Sequence, residues 1–392
     1  MTQVYLHALG IINALGNDVG SVRAGLFNGS TAGMQLRDDL IVGRTVRVGA
    51  VTSELPELET QWMAYASRNN RLLRAAILQI QTQIETALTC YGATRIGIVL
   101  GTSTAGIAEG ERGLASCLRG GAFPADYNYL QQEISSPSEY LRNALGVRGP
   151  AWTVSTACTS SAKAFSSARR LLNTGLCDAV IVGGVDSVCR LTLNGFAALE
   201  SLSRQICNPF SKNRDGINIG EGAAIFLMSR EPGPVCLLGI GESSDAYHIS
   251  GPDPEGLGAE LAMRQALSDA GVATSAVDYL NLHGTATPDN DFMESHVVER
   301  VLGASVACSS TKPLVGHMLG AAGATEIAFC WMLLTESAPT RPPPHLWDGE
   351  ADPQLAQLNL CTSDCAPRAC RIAVSNSFAF GGNNACIVLG RG

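Results

Sequence analysis

Two parts of the chain repeat one pattern of apolar runs and small-residue turns, and this repeat limits the folds that the chain can adopt. Residues 98–104 and 280–287 each place an apolar run before a turn that ends Gly-Thr-small-Thr. The apolar runs at 178–185 and 371–375 also match each other. Self-similarity of this kind indicates two copies of one βαβ-rich half. Because parallel strands joined by crossover helices need helices on both sheet faces, we predict an α/β fold.

A turn-rich stretch near the middle of the chain, residues 231–234, has the sequence Glu-Pro-Gly-Pro, which interrupts helices and strands. We therefore predict an N-terminal half over residues 1–232 and a C-terminal half over residues 233–392. The length of 392 residues fits one large unit of two halves as well as two or three domains. With 46% hydrophobic residues, 16% charged residues and 42 glycines, the composition favours extensive burial.

One cysteine stands where a predicted strand gives way to a helix. The β-branched run that begins at residue 153 stops just before Cys158, and apolar residues then recur at helical spacing until Gly175. Unpaired N–H groups and about half a positive charge at a helix N-terminus favour a thiolate. A free cysteine is more often a small buried hydrophobic residue, and the chain has 13 cysteines. Cys158 is therefore a candidate nucleophile that needs partners.

Two histidines in small-residue turns supply such partners. His283 follows the apolar strand predicted at residues 277–282, and His317 opens a helix rich in glycine and alanine. Either histidine alone could equally hold a turn together or cap a helix. Together with Cys158, they are typical of a site in which a thiol nucleophile works beside a base or an N–H donor.

These motifs together resemble those of the β-ketoacyl-(acyl carrier protein) synthases, condensing enzymes of the thiolase superfamily. The similarity runs from residues 10–17 to residues 383–385, so it covers nearly the whole chain. The resemblance implies a thiolase-like fold, with two similar halves stacked in a five-layered αβαβα core. It also implies decarboxylative Claisen condensation of an acyl-enzyme with a malonyl group on an acyl carrier protein, in fatty acid, polyketide or polyene synthesis.

The resemblance assigns roles to individual residues. Cys158 matches the family nucleophile, which takes the acyl group from the phosphopantetheine arm of the carrier. The N–H groups of Cys158 and Phe380 would then donate to the oxyanion. His283 and His317 match two histidines that donate neutral N–H groups to the malonyl thioester and stabilise the enolate as CO2 leaves. The resemblance implies no cofactor beyond the carrier's arm.

Further matches concern the support of the site and its gate. Lys312 matches the family lysine, and Glu294 matches a glutamate that helps to fix the polar network around that lysine. Without the resemblance, a surface cation and an exposed helix carboxylate would be the ordinary interpretations. Phe378, Ala379 and Phe380 match the gating loop, in which the second phenylalanine closes over the acyl pocket.

The sequence departs from the family pattern at four positions. Ala379 stands where the family usually has glycine, and a Cβ disfavours positive φ. Either the loop keeps ordinary backbone angles there or its movement is hindered. Ala286 replaces a usual glycine or serine, and Asn383 a usual threonine. Asn208 replaces an arginine near the carrier entrance, so docking of the carrier is expected to differ in detail.

Docking is predicted to need a local cluster of cations. Acyl carrier proteins are acidic, and the net charge of this chain is −8. Arg68, Arg71 and Arg74 recur along one broad face of a helix predicted over residues 67–88. Lys212 and Arg214 follow Asn208. The alternative for the three arginines is a solvated helix face.

Composition also excludes several classes of protein. The negative net charge argues against nucleic acid as the main partner. Residues 1–15 have no cation before their apolar run, and no uncharged stretch reaches the length of a membrane span. We therefore expect a cytoplasmic protein with reduced thiols. Cys361, Cys365 and Cys370 match no zinc spacing, so no metal site is predicted.

Three alternatives lie close to this interpretation. A thiolase would carry a second catalytic cysteine near its C-terminus, and a coenzyme A-primed synthase would pair one histidine with an asparagine. The presence of both His283 and His317 favours the elongating Cys-His-His type. A non-catalytic subunit that only shapes the pocket would lack Cys158. The chain could act as a homodimer or as the active half of a heterodimer with a related chain-length factor, and the departures favour a specialised pathway.

Overall fold

A computed structural model describes residues 3–392. In it, the two similar parts of the sequence form similar sets of strands and helices. The strands are β1 (Val4–Ile12), β2 (Met34–Ile41), β3 (Arg44–Gly49), β4 (Ile96–Gly101), β5 (Ala151–Val154), β6 (Ala179–Asp186), β7 (Ile219–Gly220), β8 (Gly222–Ser229), β9 (Val235–Ser244), β10 (Tyr279–Asn281), β11 (Ala307–Ser309), β12 (Asn359–Leu360), β13 (Ile372–Ala379) and β14 (Asn383–Arg391). The α-helices are α1 (Val19–Phe27), α2 (Arg68–Gln79), α3 (Gln81–Tyr91), α4 (Ile107–Gly120), α5 (Ser136–Leu145), α6 (Ser160–Asn173), α7 (Arg190–Ala198), α8 (Leu257–Ala270), α9 (Pro288–Leu302), α10 (Lys312–Val315) and α11 (Ala322–Leu334).

Five strands of each half follow the same order. The first half has the order β5-β4-β6-β8-β1, the second has β11-β10-β13-β14-β9, and β12 extends the second half at its edge. In both halves the first three strands are parallel and the last two are antiparallel to their neighbours. The predicted α/β fold with two similar halves is therefore confirmed. Residues 231–234 lie between β8 and β9, and the division into domains at residue 232 stays a prediction.

The helices form three layers around these strands. Helices α6 and α11 pack against each other and against strands of both halves, so they form the central layer. Helices α2, α3 and α5 cover the outer face of the first half. Helices α8 and α9 cover the outer face of the second half. The result is the five-layered αβαβα arrangement that the resemblance implies.

The central helices are buried for different reasons. Helix α11 is apolar on nearly every side, which is the pattern of a helix enclosed by other elements. Helix α6 buries alanines and Phe165 at the predicted helical spacing. Its first turn lies on Gly101 of β4, where an added Cβ would lie 2.3 Å from the backbone nitrogen of Ser161. The start of α6, and with it Cys158, is therefore held close to the end of β4.

One predicted helix is wrong in its extent. The helix expected over residues 67–88 is broken at Ile80, whose φ of −119° and ψ of 16° lie outside the helical region. The side chain of Gln79 hydrogen bonds to both backbone groups of Ile11, which fixes the end of α2 to β1. Burial of Ile80 and this pairing outweigh the helical propensity of the surrounding sequence.

Two further features complete the fold. Strands β2, β3 and β7 form a separate three-stranded sheet. It packs beside α7, whose far end reaches the cavity described below. Within residues 3–392, no helix combines the length and the apolar character that crossing a membrane requires.

We predict that Gly101→Ala destabilises the protein by about 1–3 kcal/mol, because backbone atoms of α6 would have to move. Gly195→Ala is the matched control, since an added Cβ in the middle of α7 has no atom within 4 Å. That control should gain about 0.5–1 kcal/mol from the lower backbone entropy of alanine. Urea unfolding of both variants measures the difference, and equal stabilities would contradict the close approach of α6 to β4.

Candidate active site

The three residues expected to carry the chemistry meet at one cavity of about 280 Å³. Cys158 comes from the turn between β5 and α6, in the first half. His283 and His317 come from the turns after β10 and α10, in the second half. Because the cavity lies where the two halves meet, neither half contains the constellation alone.

The turn that carries Cys158 has an unusual backbone. Ala157 has a positive φ of 52°, and Cys158 lies two residues before the first residue of α6. Ser160 donates its hydroxyl to the carbonyl of Ala157 and accepts a hydrogen bond from the N–H of Thr156, which closes the turn. Only 6% of Cys158 is exposed. The predicted position near a helix N-terminus is the one that the structure has.

The side chains of the constellation are in direct contact. Nε2 of His317 lies 2.9 Å from Sγ of Cys158. The rings of His283 and His317 have centroids 5.3 Å apart and meet edge to face. Both histidines are buried. A thiol and two imidazoles therefore face a common point.

Lys312 holds His283 in this geometry through two contacts. Its ammonium donates to the carbonyl oxygen of His283 and lies 3.5 Å from Nδ1 of the same ring. It also pairs with Oε1 of Glu326 at 2.5 Å. A donor at Nδ1 leaves the proton of a neutral imidazole on Nε2. The Nε2–H of His283 is then a hydrogen-bond donor.

Burial sets the protonation of the three groups. It lowers the pKa of His283 and of His317 well below the ordinary value, and the nearby charge of Lys312 lowers each pKa further. Both rings are therefore neutral at pH 7. Burial also raises the pKa of Cys158 to about 12, against the opposing effects of Lys312 and of the Phe380 N–H. Desolvation therefore opposes the thiolate that the helix N-terminus was expected to favour.

Comparison with known proteins shows the family of the chain. The family model described as "Beta-ketoacyl synthase, N-terminal domain" matches residues 63–232, and that described as "Beta-ketoacyl synthase, C-terminal domain" matches residues 235–342. Nodulation protein E of Rhizobium meliloti (strain 1021) is 31% identical over 400 residues, which cover 98% of each chain. The chain belongs to the β-ketoacyl synthase family.

Two further relatives place this β-ketoacyl synthase within its family. The 3-oxoacyl-[acyl-carrier-protein] synthase 2 of Synechocystis sp. is 30% identical over 410 residues, which cover 97% of this chain and 96% of that one. A ketosynthase from Xenorhabdus doucetiae, solved in complex with its chain length factor, is 44% identical with a TM-score of 0.96. That match covers 100% of this chain and 98% of the other. The thiolase-like fold predicted from the sequence is confirmed.

Two carboxylates support the contact between His283 and Lys312 in this synthase. Glu294 accepts hydrogen bonds from the N–H groups of His283 and Gly284, at 2.8 and 2.7 Å, so it holds the turn whose carbonyl Lys312 contacts. A role in the polar network around Lys312 stays a prediction for Glu294. Burial raises its pKa to about 7. Glu326 is the carboxylate that pairs with Lys312, and the sequence analysis missed it. The available indication was its position as the only charged residue in the apolar helix α11, because a buried charge needs a partner.

A second missed residue ties the site together. Asp186, fully buried at the end of β6, accepts hydrogen bonds from the backbone of Ser103 and Thr104 after β4. It also accepts from the N–H of Ala321, close after His317. The hydroxyl of Ser103 in turn donates to the carbonyl of Ala157. One carboxylate therefore links the segments that carry the nucleophile and His317.

The predicted gate is a hairpin between β13 and β14. Ala379 has ordinary extended angles, with φ of −132° and ψ of 153°, so its Cβ conflicts with nothing in this conformation. The positive φ values fall on Gly381 and Gly382, at 79° and 74°. Phe378 lies edge-on to His283, and Phe380 packs on Phe196, whose ring centroid is 5.4 Å away. The role of the hairpin as a gate stays a prediction.

Ala286 occupies a strained position in the His283 turn. Its φ is 64°, although it carries a Cβ and is fully buried. Its N–H donates to Oδ1 of the buried Asp291, whose Oδ2 accepts from the N–H of Phe210. These contacts hold the backbone where the family usually has glycine or serine.

Four of the five predicted docking cations form ion pairs within this chain. Arg68 pairs with the buried Glu221, Arg71 with Glu57 and Arg74 with Glu59. Arg214 is nearly buried and pairs with Asp352 at 2.6 Å. Lys212 is exposed, and within residues 3–392 it forms no ion pair. Docking by these five residues stays a prediction, with Lys212 as the member that lacks an ion pair among the described residues.

Cysteines outside the constellation do not form a cluster of metal ligands with it. Among the described residues, the ligand atoms that gather within 4.8 Å of one another belong to Cys158, His283 and His317. Sulfur and imidazole nitrogen are donors that suit zinc. Cys361 and Cys365 have their sulfurs 3.3 Å apart. That no metal is needed stays a prediction from the sequence.

We predict that Lys312→Met costs about 3–5 kcal/mol of stability, because it leaves the carboxylate of Glu326 buried without its partner. The double variant Lys312→Met/Glu326→Leu should recover most of that loss, since no unpaired charge remains. Condensation activity should stay low in both, because His283 has lost the donor at Nδ1. Urea unfolding and product formation are measured on the same samples. A double variant as unstable as the single one would contradict the pairing.

Proposed function

We propose that this protein is an elongating β-ketoacyl-(acyl carrier protein) synthase that joins an acyl group on Cys158 to a malonyl-derived unit. The observation that carries this proposal is the buried thiol of Cys158 in contact with His317 and beside a second neutral histidine. This geometry supplies a nucleophile and two N–H donors to one cavity.

The first half-reaction is transfer of the acyl group. The sulfur of Cys158 attacks the carbonyl carbon of the acyl thioester and gives up its thiol proton. The new bond to Cys158 forms as the bond to the carrier sulfur breaks, and the proton leaves with the carrier thiol. The N–H groups of Cys158 and Phe380 donate to the oxyanion of the tetrahedral intermediate. Because burial favours the protonated thiol of Cys158, this proton transfer is part of the reaction.

The second half-reaction forms the carbon–carbon bond. The malonyl thioester loses CO2, and the electron pair of the broken bond forms an enolate. The neutral rings of His283 and His317 donate N–H hydrogen bonds to its oxygen. The enolate carbon then attacks the acyl carbonyl, the bond to Cys158 breaks as the β-ketoacyl product forms, and the released thiolate takes up one proton from solvent. Lys312 keeps His283 oriented through Nδ1.

The two half-reactions should separate in variants. Cys158→Ala should abolish acyl transfer, whereas His317→Ala should keep measurable acylation and lose about 10²–10³-fold in condensation, the usual loss for one oxyanion donor. Intact-protein mass spectrometry follows the acyl adduct, and Cys365→Ala, which changes a thiol outside the cavity, is the matched control. An adduct on Cys361 or Cys365, or equal loss of acylation in both active-site variants, would contradict these roles.

We infer that the substrates arrive on the phosphopantetheine arm of an acyl carrier protein, and we propose no separate cofactor. The similarity to 3-oxoacyl-[acyl-carrier-protein] synthase 2 supports this inference. The 13 cysteines are free thiols in the structure, which supports a reducing, cytoplasmic location.

We further propose that the chain is the active half of a heterodimer with a chain-length-factor subunit. The similarity at 44% identity to a ketosynthase solved with its chain length factor favours this over a homodimer. The ishigamide ketosynthase/chain length factor, at 26% identity and a TM-score of 0.88, is a second pairing of this kind. Cys158 argues against a non-catalytic subunit. Both neighbours favour a specialised polyketide or polyene pathway.

Docking of the carrier should depend on Lys212. We predict that Lys212→Glu raises the KM for the carrier several-fold at low salt, and that salt reduces the effect because screening acts over about 8–10 Å. Arg391→Glu is the matched control, because it changes the net charge equally at the end of β14 far from the hairpin. Steady-state kinetics with the carrier and with a small thioester mimic separate docking from chemistry. Equal effects of both variants would place docking elsewhere.

A further inference from the structure

A lysine on the nucleophile helix contacts the hairpin that carries Phe380. Nζ of Lys163 donates to Oδ1 of Asn383 at 2.8 Å. Lys163 lies in the first turns of α6, just after Cys158, and its side chain is half-buried. Asn383 is the first residue of β14 and pairs with Ala379 across the hairpin. The contact therefore links the helix of the nucleophile to the strand next to Phe380.

The hairpin is short enough for this contact to govern its position. Only three residues, 380–382, separate Ala379 from Asn383, and two of them are glycines with positive φ. On the opposite side, the N–H of Gly381 donates to the carbonyl of Ile249 and the N–H of Asp245 donates to the carbonyl of Gly382, both at 2.8 Å. The loop is thus held between a segment of the second half and Lys163 of the first.

The contact also bears on the oxyanion donor. Phe380 and Cys158 both line the cavity, and the N–H of Phe380 favours the charged form of the sulfur. Cys158 and Lys163 belong to one turn and helix, whereas Phe380 and Asn383 belong to one hairpin. A link between Lys163 and Asn383 therefore fixes the distance between the nucleophile and the donor that serves it.

The neighbours of Lys163 on α6 have other partners. Ser166 and Arg170 both donate to Glu242 of β9, at 2.7 and 2.6 Å, and Glu242 pairs with Ala385 of β14. Burial lowers the pKa of Lys163, and the charge of Glu242 opposes that shift. Lys163 thus contacts Asn383 at the hairpin end of β14, whereas Arg170 contacts Glu242 on the neighbouring strand β9. Arg170 therefore offers a cation of the same helix without a bond to the hairpin.

We propose that Lys163 is a positioning residue, which through Asn383 holds the hairpin where the N–H of Phe380 meets the oxyanion formed on Cys158. The proposal rests on the proposed function, because it concerns the same acyl transfer. It gives a reason for Asn383, since the shorter side chain of threonine ends nearer the backbone and would not extend as far toward the ammonium.

Kinetics of acyl transfer test the proposal. Lys163→Met should slow single-turnover acylation of Cys158 by a small acyl thioester about tenfold, less than the 10²–10³-fold cost of removing a donor outright. Lys163→Arg should restore most of the rate. Asn383→Ala should match Lys163→Met, and the double variant should be no slower than either, because both changes break one interaction. Arg170→Met, the matched control, should keep the wild-type rate.

Hydrogen exchange gives a readout that does not depend on activity. Amides of residues 380–384 should exchange faster in Lys163→Met than in the wild type, and at the wild-type rate in Arg170→Met. Unchanged exchange and acylation in Lys163→Met, or the same loss in Arg170→Met, would overturn the proposal. If the wild type itself fails to acylate Cys158, the proposed function fails, whereas faster exchange in Lys163→Met alone would still establish the link to the hairpin.

Discussion

The buried ion pair between Lys312 and Glu326 is the interaction on which the site depends. A lone charge there would be prohibitively costly, so the fold must supply acceptors for it. Glu326 balances the charge, and the carbonyl oxygen and Nδ1 of His283 take up the remaining hydrogen bonds. Burial lowers the pKa of both histidines, and the same charge lowers each pKa further. One buried ion pair thus fixes the orientation of His283 and adds to the burial that keeps both rings neutral.

The repeat of the fold explains why the parts come from opposite halves. In the first half, the turn after β4 and helix α6 after β5 lie at the same end of the parallel strands. In the second half, the turn after β10 and the helices after β11 lie at the corresponding end. When α6 and α11 stack in the central layer, the turn of the first half and the turns of the second face each other. Asp186 then joins these segments through hydrogen bonds to Ser103, Thr104 and Ala321. A duplicated half has become two unlike contributors to one cavity.

Much of this arrangement could be predicted from the sequence. Local patterns placed Cys158 before α6 and matched β4 with β10, because period and turn composition depend on neighbouring residues. The carboxylate that pairs with Lys312 was missed, since Glu294 and Glu326 both lie on helices and only packing decides which of them reaches the ammonium. The break at Ile80 likewise depends on Gln79 meeting Ile11, a contact across 68 residues. The ion pairs of Arg68, Arg71 and Arg74 follow from loops that approach only in the folded chain.

The deep burial of Cys158 bears on the lifetime of the acyl-enzyme. With only 6% of the residue exposed, an acyl group attached to the sulfur would be sheltered from bulk water by Phe378 and Phe380. Spontaneous hydrolysis of the thioester should then be slow compared with the arrival of a second carrier. The acyl-enzyme should therefore persist until a malonyl group arrives. A low concentration of malonyl carrier would then slow synthesis without loss of the growing chain.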